Sequence, residues 1–134
     1  MHTPPFLLYV VDDDEDDLYI INNAFRQIGL DNVCKGFLSG QELLSHIRFN
    51  LDKERPDVVI LDYEMPRMNG RQVLEKLKSI PDLEDTPIVI YSDKITPEME
   101  TEMKKMGAFC CIRKGISASE QRNFAQTISE FLKK

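Results

Sequence analysis

Basic residues are scarce in this chain. Its 17 Lys and Arg stand against 23 Asp and Glu, a net charge of -6 with a pI near 4.9. A protein that grips nucleic acid needs the opposite balance to neutralise phosphates, so nucleic acid is excluded as a partner. What remains is a protein, or a small anion held through a metal. Long hydrophobic runs are missing too. The longest, FLLYVV at residues 6–11, is far short of the roughly 20 residues of a membrane helix. The opening MHTPPF has no basic stretch of the kind that precedes a secretory signal. The expectation is a soluble, cytoplasmic protein.

Cysteine and histidine are few. Cys34, Cys110 and Cys111 form no C-x-x-C pair, and an odd number of thiols fits a reducing compartment, so they read as buried thiols. His2 and His46 are too few and too far apart for a metal site, and His46 is expected to be exposed on a helix. Repeats, linkers and low-complexity tracts are absent apart from one acidic run. At 134 residues, 42% hydrophobic and 30% charged, the chain suits one globular domain, residues 1–134 with a core over about 6–131, and leaves no room for an output module.

Five short apolar runs recur: FLLYVV, a weaker NVCKGF at 32–37, VVIL at 58–61, IVIY at 88–91 and AFCCI at 108–112. Continuous rather than alternating apolarity marks strands covered on both faces. Between them apolar residues recur at helical spacing: Leu18, Ile21, Phe25 and Ile28; Leu43, Leu44 and Ile47; Val73, Leu74 and Leu77; Met99, Met103 and Met106; Phe124, Ile128 and Phe131. Ser39 with Glu42 reads as a capping box, Thr96 before Pro97 as an N-cap with proline in the first turn, and Gly29 and Gly107 as helix stops. Asp16 or Asp17 is expected to cap the first helix. Five strand-helix alternations predict an α/β fold, a doubly wound parallel sheet with helices on both faces.

In such sheets ligands bind beyond the carboxyl ends of the strands, where strand order reverses. The residues that follow the runs are Asp12 and Asp13, then Asp62, then Ser92, then Lys114. The YVVDDDEDDLYII stretch thereby divides into two parts. Asp14 to Asp17 read as a solvated run at a helix start, whereas Asp12 and Asp13 sit too near the strand for that. An EF-hand is rejected, because its glycine and glutamate positions hold Asp17 and Asn23. Lys114 alone would read as a surface lysine and Ser92 alone as a turn residue; their convergence with three acids gives them weight. A hard cation such as Mg²⁺ suits Asp13 and Asp62, with Asp12 acting through a water. Asp62 can then attack a phosphoryl group while the cation, Lys114 and Ser92 take its oxygens.

These residues, as VVDD, VILDYEMPRMNG, IVIYS and GAFCCIRKG, stand in the order and spacing of the response-regulator receiver domain of two-component signalling. The chain resembles that family from Phe6 to Phe131. The resemblance implies a five-stranded sheet of order 2-1-3-4-5, a flavodoxin-like three-layer sandwich with five helices. It implies that Asp62 accepts the phosphoryl group and that Ser92 and Lys114 are catalytic. Asp12, Asp13, Asp62 and the backbone carbonyl of Glu64 would hold Mg²⁺. The phosphodonor would be a sensor histidine kinase or histidine phosphotransfer protein, the output a change in protein contacts, and the protein itself a monomer or weak homodimer. Glu64 and Lys94 occupy positions that in the family flank the hydrolytic water, where a pair between them would shield the acyl phosphate.

Three positions depart from the family pattern. Cys111 replaces an aromatic residue, Asp93 a small one, and Gly115 the proline whose cis bond helps aim the lysine. A cis bond before glycine costs roughly 2.5 to 4 kcal/mol, so the Lys114–Gly115 bond is expected to be trans. Two other classes stay open. A haloacid-dehalogenase-type phosphatase shares the aspartate nucleophile but needs a second aspartate where Glu64 stands; a receiver-like module could bind partners without being phosphorylated.

Overall fold

The computed structural model describes residues 5–50 and 53–133. The strands are β1 (Leu8–Val11), β2 (Cys34–Phe37), β3 (Val58–Asp62), β4 (Ile88–Ser92) and β5 (Cys110–Arg113). They alternate with α1 (Glu15–Gln27), α2 (Gly40–Asn50), α3 (Gly70–Lys78), α4 (Pro97–Lys105) and α5 (Ala118–Leu132). A 3-10 turn at Pro81–Leu83, unforeseen in the sequence, joins α3 to β4. All neighbouring strands are parallel, in the order β2-β1-β3-β4-β5. This is the doubly wound three-layer sandwich the sequence predicts.

Strand side chains alternate between two cores. Tyr9, Val11, Val59, Leu61, Ile88 and Ile90 meet α2, α3 and α4 through Leu43, Ile47, Leu74, Leu77 and Met103. Leu8, Val10, Val58, Ile60, Val89 and Tyr91 meet α1 and α5 through Ile21, Phe25, Phe124 and Ile128. Covering on both faces is why β1, β3 and β4 are buried at every position and read as unbroken apolar runs. The edge strands are only partly covered. Cys34, Cys110 and Cys111 sit there and are half-buried rather than buried, although burial still pushes all three thiols up, Cys34 to about 12.

Helix ends follow the sequence with two corrections. Thr96 caps α4 ahead of Pro97, and Gly29 and Gly107 stop α1 and α4 with positive φ. The first helix, however, is capped by Asp14, whose side chain accepts from the Asp16 N–H at 2.9 Å; neither Asp16 nor Asp17 takes that role. Ser39 Oγ accepts from the Glu42 N–H, but the Glu42 carboxylate reaches past Ser39 to the Leu38 N–H. Asn69 with Gln72 and Ser117 with Glu120 form complete capping boxes on α3 and α5.

His46 also departs from expectation. Its ring lies against Phe37 and Tyr9, with centroids 5.2 and 5.5 Å away, and its Nε2 is 3.0 Å from Glu54 Oε1. That carboxylate also accepts from the Tyr9 hydroxyl at 2.6 Å and from Lys35. The helical face that carries His46 is thus half-buried. His2 lies outside the described residues.

Candidate functional site

Parallel pairing brings the carboxyl ends of β1, β3 and β4 to one edge. Val11 pairs with Leu61 and Asp62 with Tyr91, so Asp12, Asp62 and Ser92 emerge side by side. All three are buried, Asp12 at 1% exposure and Asp62 at 6%. Asp13, one residue on, is exposed. One carboxylate oxygen from each of Asp12, Asp13 and Asp62 lies within 4.8 Å of the others. The Lys114 side chain arrives from the end of β5, where its own N–H donates to the Ser92 carbonyl. Its Nζ donates to Asp12 Oδ2 at 2.8 Å and to Asp17 Oδ2 at 3.0 Å, and stands 3.4 Å from Asp62 Oδ1.

These groups line a cleft of about 220 Å³ that Glu64 and Asp93 also border. A larger cleft, about 520 Å³, runs along the exposed outer face of α4 by Pro97, Thr101 and Lys105, and shares no lining residue with this convergence. Glu64 reaches the smaller cleft but Lys94 does not line it, and among the described residues no ion pair joins the two. The shield expected from that pair is not formed.

The electrostatics follow from crowding. Burial raises the Asp62 carboxyl, and the neighbouring Asp12 charge adds to this against the pull of Lys114, to about 7. Burial likewise raises Asp12, opposed by the bonds from Lys114 and the Asp14 N–H. For Lys114 burial acts downward, but the bonds to Asp12 and Asp17 and the Asp62 charge outweigh it and hold the ammonium above its ordinary range. One cation therefore faces several carboxylates. A hard divalent cation fits this donor set: oxygen ligands only, partly open to solvent, carrying excess negative charge.

The remainder of the site is built by residues whose role the sequence did not disclose. Gly70 N–H donates to the Tyr63 carbonyl at 2.8 Å, folding the loop after β3 back under Asp62. A Cβ there would meet Tyr63 Cα at 2.7 Å, which accounts for glycine at the end of the VILDYEMPRMNG stretch. No peptide bond among the described residues is cis, so Lys114–Gly115 is trans. Instead of proline, Gly115 offers an N–H that donates to the Tyr91 hydroxyl at 3.3 Å, and its carbonyl accepts from Gln121. Asp17 is the other addition. Its signal was an acidic run longer than one helix cap requires.

A doubly wound sheet with an acidic cluster, a hydroxyl and a lysine at its switch edge defines a class, and the comparisons identify it. The profile of the response regulator receiver domain matches residues 8–126, and the chain belongs to that family. It is similar to response regulator Rcp1 of Synechocystis sp., 21% identical over 131 residues that make up 96% of this chain and 89% of Rcp1. Among solved structures it resembles the phosphorylated cyanobacterial phytochrome response regulator RcpA, with TM-score 0.83, 25% identity and coverage of 95% and 93% of the two chains. The Mn(2+)-bound form of Rcp1 shares the fold at TM-score 0.80 and 20% identity, over 95% of this chain and 94% of that one. The probable methanogenesis regulatory protein FilR2 of Methanothrix harundinacea is longer: the match, 27% identical, spans 66% of this chain and 58% of FilR2.

Proposed function

We propose that this receiver domain accepts a phosphoryl group on Asp62, and that Asp12, Asp13, Asp62 and the Glu64 carbonyl hold Mg²⁺ while it does so. The observation that carries the reading is the placement of Asp62: a buried carboxylate at the end of the central strand, 3.4 Å from a lysine ammonium and within 4.8 Å of two further carboxylates. Bound Mg²⁺ would supply charge neutralisation, letting the carboxylates stay ionised beside an incoming phosphoryl anion.

The residues themselves do the positioning. An Asp62 carboxylate oxygen attacks phosphorus in line, forming a P–O bond as the P–N bond to a donor histidine breaks. The electron pair leaves on the imidazole nitrogen, and the product is an acyl phosphate. Lys114 donates to one phosphoryl oxygen and the Ser92 hydroxyl to another. Attack of water on phosphorus later returns the free carboxylate. The donor in this reading is a sensor histidine kinase or histidine phosphotransfer protein in the cytoplasm. The protein acts as one domain, residues 1–134, monomeric or weakly dimeric, and its output is altered protein contact. Among the described residues no helix is long and apolar enough to cross a membrane.

The test is to incubate the protein with Mg²⁺ and acetyl phosphate and weigh it intact. A stable gain of one phosphoryl group that Asp62→Asn abolishes, with the fold retained, supports the proposal. Steady phosphate release without accumulation would favour a hydrolase, and no change a binding module that is not phosphorylated.

A further inference from the structure

Asp17 sits in the first turn of α1, where an acidic side chain ordinarily turns to water and interacts with the helix dipole. Asp16, beside it, does stay exposed. Asp17 instead turns into the cleft and accepts from a lysine 97 residues away in sequence. Asp14 already caps the helix, so helix formation does not require this contact.

The lysine has reason to need it. Lys114 carries three N–H donors. Asp12 and Asp17 take two, leaving one for the side on which Asp62 lies. The backbone below is fixed by bonds from Lys114 N–H to Ser92, from Gly115 N–H to Tyr91 and from Gln121 to Gly115. These set where the side chain begins, not where a flexible four-carbon stem ends. A second contact at the ammonium has to do that. Asp12 is compromised as that contact, because its carboxylate belongs to the three-acid cluster that would be shared with a cation. Asp17 lies outside that cluster and its bond to Lys114 can persist.

We infer that Asp17 is a positioning residue that anchors the Lys114 ammonium at the mouth of the cleft, so that the remaining N–H meets a phosphoryl oxygen on Asp62. This rests on Asp62 being the phosphoacceptor. The competing view is that the Asp17 to Lys114 contact merely ties α1 to the loop after β5.

Three variants decide between them: Asp17→Asn, Asp17→Glu and Asp16→Asn as a control for charge at the helix start. Each is compared with the unaltered protein in three measurements: initial phosphorylation rate against acetyl phosphate with Mg²⁺, Mg²⁺ affinity, and acylation of Lys114 by an amine reagent, read by peptide mass. For Asp17→Asn we expect phosphorylation to slow roughly tenfold, the order expected for losing one charge-assisted hydrogen bond. Mg²⁺ affinity should hold, and Lys114 should become more readily acylated. Asp17→Glu should recover part of the rate and Asp16→Asn should match the unaltered protein. A rate for Asp17→Asn within about twofold of normal, with Lys114 acylation unchanged, overturns the inference. An equal slowing in Asp16→Asn also overturns it, by assigning the effect to helix charge. If Asp17→Asn does not fold, Asp17→Ser, which also removes the carboxylate, takes its place: slower phosphorylation with readier Lys114 acylation supports the anchor, and a rate within about twofold of normal with Lys114 acylation unchanged overturns it. If even the unaltered protein takes up no phosphoryl group, the failure belongs to the reading of Asp62, and Lys114 acylation alone still reports whether the anchor exists.

Discussion

A Cβ placed on Gly70 would lie 2.6 Å from the backbone carbonyl oxygen of Asp62. Backbone cannot yield as a flexible side-chain tip can, so the first residue of α3 and the last of β3 are locked together through the absence of one carbon. Gly70→Ala should lower stability by about 1–3 kcal/mol, the usual cost of overpacking, and slow phosphorylation by displacing Asp62. Thermal denaturation followed by circular dichroism, with the acetyl phosphate assay, measures both. Unchanged melting would show that the loop relaxes freely.

Restoring the family's usual residue at position 115 should harm this protein. Proline would remove the N–H that donates to Tyr91, and any Cβ there would meet Glu120 Cβ at 2.9 Å and the Gln121 nitrogen at 3.1 Å. Gly115→Pro is therefore expected to be less stable than the unaltered chain, by about 1–3 kcal/mol from overpacking alone, and to bring Lys114 less well to the site. Urea denaturation checks the first expectation and the phosphorylation rate the second.

Mg²⁺ should raise the melting temperature of the protein, by an amount that grows with the logarithm of its concentration above the dissociation constant, as any ligand of the native state does. The bound ion would relieve the crowding of Asp12, Asp13 and Asp62, of which Asp13 is the exposed member. Asp13→Ala should abolish both the Mg²⁺-dependent rise in melting temperature and the phosphorylation, while folding normally without the ion. An undiminished rise in that variant would place the cation elsewhere.

Glu54 predicts an acid-sensitive component of stability away from the site. The Tyr9 hydroxyl, then His46 and Lys35, favour its charged form and lower it from 4.5 to about 2. A carboxylate lowered in the folded state adds stability that is fully present above its unfolded value and is lost as pH falls from about 4.5 through about 2. Denaturation titrations at stepped pH should show Glu54→Gln with a flatter decline across that window. Tyr9→Phe, which removes the largest of these influences, should shift the decline toward higher pH. Identical pH profiles in all three proteins would contradict the assignment.

Much of this protein was legible in its residues. Buried parallel strands must be apolar at every position, so β1, β3 and β4 stand out as VVIL-type runs, and helical spacing identifies what lies between them. Once strands and helices alternate, the carboxyl edge is where a site can form, and Asp12, Asp13, Asp62, Ser92 and Lys114 are found by their position after each run. Local signals reach about one helical turn, which is far enough to place Thr96 and Gly107. They do not decide among competitors within that distance: Asp14, Asp16 and Asp17 all have the chemistry of a cap, and only backbone geometry selects Asp14. The apolar surroundings of His46 come from Tyr9 and Phe37 on two neighbouring strands, beyond the reach of any local pattern. The same holds for Asp17. Its bond to Lys114 exists because the parallel sheet brings the start of α1 and the loop after β5 to one carboxyl edge, where the long lysine side chain reaches the cleft, and a pairing across 97 residues depends on that packing, which no spacing along the chain encodes.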